Sequence, residues 1–493
     1  MVLRKARLIS LLLSIVIISC SLTQLEGCAQ SNSFILEAEQ PWDTYGSGAT
    51  CISGSHNLFL ENIDGDVYVE IITGGSSYGL TSNGTVTPRE APLKIWKWNG
   101  QNLTLKTKHN WPGNINCVYA ADVDSDGQFE LLTSGYMSND SGSYPSLRVW
   151  RWDGTSLALR ASVEGIPTSS IFVSDLDRDG VQEIVTVGRF NSTSQHGAKL
   201  CVWHLEEDGL ALQKSVEWCV SNVTSVSSVF ARDLDNDGRI EIVTSGYTYE
   251  LRNSSGQLRV WHYNVNGFSL KSSEEWRLVE GVYGLNIAGG IQGNTLVNNL
   301  KVGDVDSDGT PEIVTGGFAY DGENTNAQLR IWSWNGENLL LEKSEEWATD
   351  YLTEIKCVSL GDIDGDSRLD IVTSGGVGEK GSFANNATSP TQAQLRVWDW
   401  DGTSLVLKQS KEWTIGDGFI AWNVASSDVD GDGVVEIVTV GCMGIGSLCD
   451  PDMRLWSVPS TDGDPLFLNF LYAVVIAVIL ISAGVFLALK KRR

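Results

Sequence analysis

Residues 122–130 are Asp-Val-Asp-Ser-Asp-Gly-Gln-Phe-Glu, and they lie between two short apolar runs at 116–121 and 131–133. Carboxylates stand at positions 1, 3, 5 and 9 of this stretch, and a glycine at position 6 allows the backbone to turn. The flanking runs are typical of short β-strands rather than helices. The stretch therefore predicts two strands joined by a loop that gathers four carboxylates.

The same unit recurs seven times along the 493 residues, about every 61 residues. Each unit consists of an apolar strand a, the acidic loop, a strand b, a variable loop and two further strands, c and d. In the second unit, strand c is Leu147–Trp152, Asp153 and Gly154 form a hairpin turn, and Leu157–Leu159 opens strand d. Four short strands per repeat predict the blades of a β-propeller.

The two ends of the repeat array predict how it closes. The seventh unit stops after strand c, at Met453–Trp456, whereas Phe34–Trp42 aligns without gaps to the strand d at Leu405–Trp413. We therefore expect the N-terminal strand to complete blade seven, which removes the open edges of a linear array. The predicted fold is all-β: a seven-bladed β-propeller of four-stranded blades over residues 34–458, followed by one C-terminal transmembrane helix.

Tryptophan follows the same period. A tryptophan in strand c could cradle an aromatic ligand or pack between neighbouring blades, and the regular spacing favours packing. Strand c carries Trp96, Trp150, Trp203, Trp261, Trp332, Trp398 and Trp456.

The acidic loops, numbered 1 to 7 in chain order, predict up to seven Ca²⁺ sites. Calcium takes six to eight oxygen ligands, many of them carboxylate. Positions 1, 3, 5 and 9 offer side-chain oxygens, and position 7 offers a backbone carbonyl. The predicted ligands are Asn62, Asp64, Asp66 and Glu70; Asp122, Asp124, Asp126, Gln128 and Glu130; Asp175, Asp177, Asp179, Val181 and Glu183; Asp233, Asp235, Asp237, Arg239 and Glu241; Asp304, Asp306, Asp308, Thr310 and Glu312; Asp362, Asp364, Asp366, Arg368 and Asp370; and Asp428, Asp430, Asp432, Val434 and Glu436.

Loop 1 departs from the pattern, because it has Asn62 at position 1 and Val67 in place of the glycine. We expect it to bind calcium most weakly. The alternative for any such loop is a metal-free turn in which the carboxylates accept hydrogen bonds from their own backbone.

The acidic loop followed by Glu-Ile-Val-Thr-x-Gly, as at Glu183–Gly188, resembles the FG-GAP/VCBS repeat family, the propeller type also found at the head of integrin α chains. The resemblance spans roughly Phe34 to Val458. It implies the propeller, calcium in the a–b loops and a role in surface recognition. The Phe-Gly and Gly-Ala-Pro motifs of the family are missing here, where Thr-Ser-Gly or Thr-Gly-Gly stands instead, so integrin-like ligand recognition is not carried over.

The N-terminus predicts a secretory signal peptide at residues 1–29. A basic start at residues 4–7 precedes the apolar run Leu8–Ile18, and Gly27 and Ala29 suit cleavage before Gln30. The alternative is a lipidated N-terminus, because Ile-Ile-Ser-Cys at 17–20 resembles a lipobox.

The C-terminus predicts a membrane anchor after a linker at residues 459–466. Phe467–Leu489 carries no charge and is long enough to cross about 30 Å of hydrocarbon. The basic residues at 490–493 then stay in the cytoplasm. These features predict a single-pass plasma-membrane protein with its repeats outside the cell and the membrane as one partner.

Charge and composition exclude two classes of protein. The formal net charge of −26 argues against nucleic-acid binding, which requires a basic face. A hydrophobic content of 42% and 18 Trp argue against a disordered acidic chain.

The repeat also predicts two unlike faces. In a four-stranded antiparallel blade the a–b and c–d turns share one face, and the b–c loops and blade connections share the other. The b–c loops vary most in length, which is typical of a recognition surface; we expect partner contacts there at Tyr283, Phe318 and Tyr320. Glycan acceptors, all but Asn102 on that second face, are predicted at Asn83, Asn102, Asn139, Asn191, Asn222, Asn253 and Asn386.

The function that fits these features best is a non-enzymatic, calcium-binding cell-surface recognition or adhesion protein that binds a protein or a glycan. An extracellular propeller enzyme, either a lyase or a hydrolase, and a structural subunit of a cell envelope are the alternatives. The sequence contains no nucleophile elbow and no zinc motif, and its five His are scattered.

Overall fold

The computed structural model describes residues 34–41, 49–51, 56–78, 89–139, 142–191, 196–250, 253–278, 295–378, 391–415, 419–442 and 451–458. These residues form an all-β structure, and no helix occurs among them. The strands are β1 Ile35–Pro41, β2 Ala49–Cys51, β3 Leu58–Glu61, β4 Glu70–Gly74, β5 Ser76–Tyr78, β6 Glu90–Trp98, β7 Leu103–Ala121, β8 Glu130–Asn139, β9 Gly142–Trp152, β10 Leu157–Glu164, β11 Ser170–Ser174, β12 Glu183–Asn191, β13 His196–Glu206, β14 Gly209–Trp218, β15 Val223–Arg232, β16 Glu241–Glu250, β17 Asn253–Asn264, β18 Gly267–Trp276, β19 Thr295–Gly303, β20 Glu312–Tyr320, β21 Thr325–Trp334, β22 Leu339–Trp347, β23 Leu352–Gly361, β24 Asp370–Gly378, β25 Gln392–Trp400, β26 Leu405–Trp413, β27 Ile420–Ser427, β28 Glu436–Cys442 and β29 Pro451–Ser457.

The a–b–c–d order of the repeat is present in the strand pairing. Strand b of each repeat is a run of β-branched and small residues that is buried on both faces, as in β12, whose first six residues are all buried. It pairs antiparallel with strand a on one side and strand c on the other, as β12 does with β11 and β13. Strand d then pairs with strand c, as β14 does with β13.

Hydrogen bonding between repeats merges these strands into four sheets. One sheet has four strands in the order β1-β29-β28-β27, one has nine, and two have eight. The strand β7 runs without interruption from strand d of the first repeat into strand a of the second. Parallel bridges between His196 and Val223, and between Thr325 and Leu352, join further repeats.

The predicted seven-bladed β-propeller is therefore wrong in its assembly, although the all-β composition is correct. The described residues show four sheets and no closed propeller of seven separate four-stranded blades. The physical reason is that hydrogen bonds cross some of the repeat boundaries. The strand β7 is strand d of one repeat and strand a of the next, and single parallel bridges join strand c to the next strand a at two other boundaries.

The N-terminal strand meets the end of the chain. β1 pairs antiparallel with β29, with Ile35 opposite Ser457 and Pro41 opposite Asp452. The buried ring of Phe34 lies edge-on to Trp456, with ring centroids 6.2 Å apart.

The predicted transmembrane helix at Phe467–Leu489 lies outside the described residues, as do the signal peptide at 1–29, the linker and the basic tail. In the described part of the chain, no helix has the length and apolar character needed to span a bilayer. The prediction of a single-pass plasma-membrane protein, with the membrane as a partner, is contradicted on this finding.

The core lies between successive repeats. The tryptophan that ends strand d packs against the strand-c tryptophan of the next repeat. Ring centroids are 5.0 Å apart for Trp218 and Trp261, and 4.8 Å apart for Trp347 and Trp398. Among the described residues the strand-c tryptophans are at most 5% exposed, which confirms the packing role rather than a ligand cradle.

Candidate metal centres

The backbone of each acidic loop bends into the left-handed region at position 4. The residues there are Gly65, Ser125, Arg178, Asn236, Ser307, Gly365 and Gly431, with φ between 58° and 79°. Position 6 also has positive φ in loops 2 to 7, including Ser367 in loop 6. Two left-handed residues two positions apart curl the loop, so that side chains from positions 1, 3 and 5 point toward one centre.

The carboxylate at position 9 forms the floor of each loop. It opens strand b, is buried, and accepts a hydrogen bond from the backbone N–H of position 2 in all seven loops. In loop 5, for example, Val305 N–H donates to Glu312 Oε2 over 3.0 Å. One carboxylate oxygen is thus bound to the backbone, and the other faces the aspartates.

Further hydrogen bonds run within the loops. The position-5 aspartate accepts from the N–H of position 7, as Asp126 does from Gln128 over 2.8 Å and Asp308 from Thr310 over 2.7 Å. The equivalent donors in other loops are Val181, Arg239, Arg368 and Val434. Such bonds are what a metal-free turn requires. They occupy one oxygen of the position-5 aspartate, whereas the position-1 aspartates Asp122, Asp175 and Asp428 accept backbone N–H bonds with both oxygens.

Carboxylate oxygens gather closely enough to share an ion. In five groups the ligand atoms all lie within 4.8 Å of one another, and two further groups are similar. The five groups are Asp64, Asp66 and Glu70; Asp122, Asp124 and Glu130; Asp175, Asp177 and Glu183; Asp233, Asp235 and Glu241; and Asp304, Asp306 and Asp308.

Three of the position-1 aspartates carry an oxygen that has nothing to bind in the described residues. The Oδ1 atoms of Asp233, Asp304 and Asp362 are buried and have no hydrogen-bond partner there. A buried carboxylate oxygen without a partner is costly, and an ion is one of the few explanations for it. Because all the donors are oxygens, the sets fit a hard cation such as Ca²⁺ rather than zinc.

Loop 1 contains its own counter-ions. Lys106 Nζ contacts Asp64 and lies 3.0 Å from Glu70 Oε1, and Lys97 Nζ lies 2.6 Å from Asp66 Oδ2. All three carboxylates of this loop are therefore in ion pairs with lysine.

Loop 2 is neutralised in the same way by arginine. Arg160 contacts Asp124 and lies 3.1 Å from Glu130 Oε1, and Arg151 lies 2.9 Å from Asp126 Oδ2. A metal ion would have to displace these guanidinium groups from the same oxygens.

In loops 3, 4 and 6, basic side chains lie near some of the carboxylates but not all of them. His204 Nε2 lies 2.7 Å from Glu183, and His262 Nε2 lies 3.1 Å from Glu241. In loop 6, Lys408 Nζ lies 3.7 Å from Asp364, and Arg368 lies 3.1 Å from Asp366.

Loops 5 and 7 have no basic partner in the described parts of the chain. Where loops 1, 2, 4 and 6 have a basic residue at one position of strand d, these two have Glu342 and Glu37. Ser333 donates a hydrogen bond to Glu342 over 2.5 Å, and Ser457 donates to Glu37 over 2.6 Å. At this position both loops therefore have a carboxylate in place of a cation.

The side chains that distinguish the loops share one structural position. Strand d has a β-bulge beside the strand-c tryptophan in every repeat, and the bulged residue has no partner in the ladder. A bulge redirects its side chain, and Lys106, Arg160 and Lys408 contact the acidic loop of their own repeat. In the order of the loops the bulge residues are Lys106, Arg160, Gln213, Lys271, Glu342, Lys408 and Glu37.

The pKa values of the position-9 carboxylates depend on their burial and on the charges around them. Burial, reinforced by neighbouring aspartates, raises the pKa of Glu241, Glu312 and Glu436 to about 7. Burial also raises the pKa of Glu70, but its contacts with Lys106 oppose that rise. Burial likewise raises the pKa of Asp370 in loop 6 to about 7, although Lys408 opposes the rise. Buried carboxylates are therefore held at an electrostatic cost in loops with and without a cation, and a divalent ion would relieve it.

Two of the three predicted partner residues, Phe318 and Tyr320, are buried in β20. Phe318 and Tyr320 are 5% and 7% exposed in β20, and the Tyr320 hydroxyl donates to the Gly322 carbonyl over 2.8 Å. Both side chains are buried, and Tyr283 lies outside the described residues. The role of the three residues as partner contacts stays a prediction.

Five of the seven predicted glycan acceptors lie within the described residues. Asn102 lies in the turn before the strand d segment of β7, Asn139 and Asn191 end β8 and β12, Asn222 precedes β15 and Asn253 opens β17. Asn83 and Asn386 are outside the described residues. Glycosylation of all seven stays a prediction.

Comparison with known proteins adds one finding. A search of curated proteins finds no match to the chain. The model of the FG-GAP-like repeat matches residues 304–373. This segment begins at the first aspartate of loop 5 and ends in β24, just after loop 6. The chain therefore contains an FG-GAP-like repeat, and that repeat includes two of the acidic loops.

Proposed function

We propose that the protein is a calcium-binding, non-enzymatic recognition protein in which loops 5 and 7 are the strongest metal sites. Loop 5 carries the proposal: Asp304, Asp306 and Asp308 converge, Asp304 Oδ1 is buried without a partner, and no cation balances them in the described residues. Calcium would be held by these side chains with Glu312 and the Thr310 carbonyl, and it would supply the missing positive charge.

The proposal divides the seven loops into classes. Lys97 and Lys106 in loop 1, and Arg151 and Arg160 in loop 2, take the place of a metal ion. Loops 3, 4 and 6 bind calcium more weakly than loops 5 and 7, because basic groups compete for some of their carboxylates. These groups are His204 in loop 3, Arg178 and His262 at loop 4, and Arg368 and Lys408 in loop 6. The protein then binds fewer than seven ions.

Metal binding would support recognition by stabilising the native fold. An ion that binds the native state alone stabilises it, so calcium would hold the scaffold from which the variable loops project. The FG-GAP-like repeat suggests a propeller-type fold of the extracellular, adhesion-like kind, which supports a protein or glycan as the ligand.

Calcium titration of metal-free protein tests the metal sites. We expect binding by calorimetry and a higher unfolding temperature in calcium than in chelator. The variant Asp304→Asn should lose part of this stabilisation, whereas Asp208→Asn, which changes an exposed turn, should keep it. Identical unfolding temperatures with and without calcium would refute the proposal.

Recognition is tested separately. Calcium-loaded protein is probed on glycan and surface-protein arrays, beside a panel of hydrolase and lyase substrates. Saturable binding without turnover supports recognition, and turnover of any substrate on the panel contradicts a non-enzymatic role.

A further inference from the structure

A cavity of about 490 Å³ lies among strands a of the seven repeats. Residues of β3, β7, β11, β15, β19, β23 and β27 line it. None of the predicted calcium ligands lines this cavity, so it is distinct from the acidic loops.

One wall of the cavity is aromatic. Phe59, Tyr119, Phe172 and Phe230 occupy the same place in four successive repeats, three residues before the acidic loop. Their ring centroids follow one another at 4.4, 5.8 and 4.3 Å. We call these four side chains the aromatic arc. Rings arranged in this way offer faces and edges against which a flat apolar body can pack.

The next repeat continues the arc with a cation. Lys301 of β19 stands at the equivalent place and lines the cavity, as does Arg232 at the end of β15. Among the described residues, the side chains of Lys301 and Arg232 have no hydrogen-bond or ion-pair partner. A half-buried ammonium group without a counter-charge is unfavourable, and an anion relieves it.

The charge of the lining is opposite to that of the chain. The protein has a formal net charge of −26, yet no Asp or Glu is among the described residues that line the cavity. Arg232 is exposed and Lys301 is half-buried, and a half-buried positive group attracts anions more strongly than one on the open surface.

The other polar groups of the cavity are already engaged. His56 Nε2 donates to the Ser227 carbonyl over 3.0 Å, and burial lowers the pKa of His56 to about 4, so this ring is neutral near pH 7. Asn299 and Asn423 accept hydrogen bonds from the backbone N–H groups of Val358 and Asn57. The available recognition chemistry is therefore that of the aromatic arc and the two cations.

We infer that this cavity binds a small organic anion, whose flat apolar body packs on the aromatic arc and whose anionic group pairs with Lys301. A carboxylate and a phosphate monoester share this chemistry. The site does not depend on calcium at the acidic loops, since it uses none of their residues.

Two matched probes test the inference on the full chain by calorimetry: 2-naphthoate and its neutral analogue 2-naphthamide. We expect the anion to bind at least about tenfold more tightly, since a charge-assisted hydrogen bond contributes at least that much. A third probe, 2-naphthyl phosphate, distinguishes a phosphate site from a carboxylate site.

Variants then locate the binding. Lys301→Gln should abolish the preference for the anion, and Lys301→Arg should keep it. Phe172→Leu should weaken both probes by about threefold or more. Lys411→Gln, at an exposed position of β26, is the matched control and should change neither affinity.

The inference is overturned if neither anion binds, if naphthoate and naphthamide bind equally, or if Lys301→Gln keeps the full preference. Thermal unfolding of each variant shows whether a loss of binding accompanies a loss of fold. If Lys301→Gln does not fold, Phe172→Leu decides: an unchanged affinity of this variant for both probes would also overturn the inference.

Discussion

Among single residues, the largest difference between the seven loops is the side chain at the bulge of strand d. Lys106 lies against two carboxylates of loop 1, whereas Glu342 stands at the same place beside loop 5. A basic residue at this position of strand d therefore favours an internal ion pair, whereas an acidic residue leaves a loop that requires a cation.

Replacing the acidic bulge residue of loop 5 with a basic one should prevent calcium binding at that loop. Glu342→Lys places an ammonium group beside the carboxylates of loop 5, so we expect the loss of about one equivalent of bound calcium by calorimetry. Glu345→Lys makes the same change of charge on the same strand, next to Lys343, and serves as the control. An unchanged stoichiometry in Glu342→Lys, with its fold intact, would contradict the bulge as the determinant.

The acidic loops could be predicted from the sequence, because position 9 and the aspartates lie within nine consecutive residues. The bulge residues could not. Strands c and d appear in sequence as simple alternation, in which Lys106 or Glu342 would stand in the ladder and face either side. Only the register shift beside the tryptophan shows that their side chains turn toward the loop.

Asp452 offers a second comparison between repeats. Where Trp218, Trp276 and Trp347 donate to a glutamine of the next repeat, Trp413 faces Asp452 and its Nε1 has no partner among the described residues. Burial, opposed by the hydrogen bond from Arg454, raises the pKa of Asp452 to about 6. The contribution of Asp452 to stability is thus complete below about pH 4 and is lost as the pH rises through about 6.

Asp452→Gln should therefore stabilise the protein in a pH-dependent way. Glutamine does not titrate and can accept from Trp413, so the gain in unfolding free energy should be about 1–3 kcal/mol larger at about pH 8 than at about pH 4. Chemical unfolding at several pH values measures it. The exposed Asp208→Asn should give no such slope; a gain from Asp452→Gln that is independent of pH would be inconsistent with this explanation.

At the scale of the strand pair, one hydrogen bond recurs in every repeat. The indole Nε1 of the strand-c tryptophan donates to a threonine hydroxyl of strand b, over 2.9 to 3.2 Å. In the fourth repeat the pair is Trp261 and Thr244, both almost fully buried. The Trp of strand c and the Thr of strand b recur in the sequence because each pair forms a hydrogen bond that holds strand b against strand c.

Thr244→Val tests the contribution of this bond. Valine keeps the shape but leaves the Trp261 indole N–H buried without an acceptor, so we expect a loss of about 1–3 kcal/mol in unfolding free energy. Thr244→Ser retains the hydroxyl and should lose less. Denaturant unfolding compares the two, and equal stability of the wild type and Thr244→Val would show that the bond is not needed.

The repeat boundaries could not be predicted at this scale either. Pro112 and Gly113 predict a break between strands d and a, yet Leu103–Ala121 forms a single 19-residue strand. The blades expected from the sequence merge there, because the segment satisfies hydrogen bonds on both neighbours in turn.

For the whole molecule, the contact between the two ends of the described chain is the one that spans the largest distance in sequence. β1 pairs with β29, Glu39 contacts Arg454 over 3.1 Å, and Phe34 packs against Trp456. The gapless similarity of Phe34–Trp42 to strand d led to this partner from the sequence alone. Because β1 is the outer strand of its sheet, its loss would expose the hydrogen-bonding edge of β29.

Removal of β1 should therefore destabilise the molecule and promote association. A variant lacking residues 1–41 is compared with one lacking residues 1–33, so that the difference belongs to residues 34–41. Loss of the buried Phe34 and of a whole antiparallel ladder should lower the unfolding temperature, and the open edge of β29 should recruit strands from other molecules. Thermal unfolding and light scattering measure the two effects. If the shorter variant unfolds at the same temperature and stays monomeric, the pairing of β1 with β29 contributes nothing to the stability of the molecule.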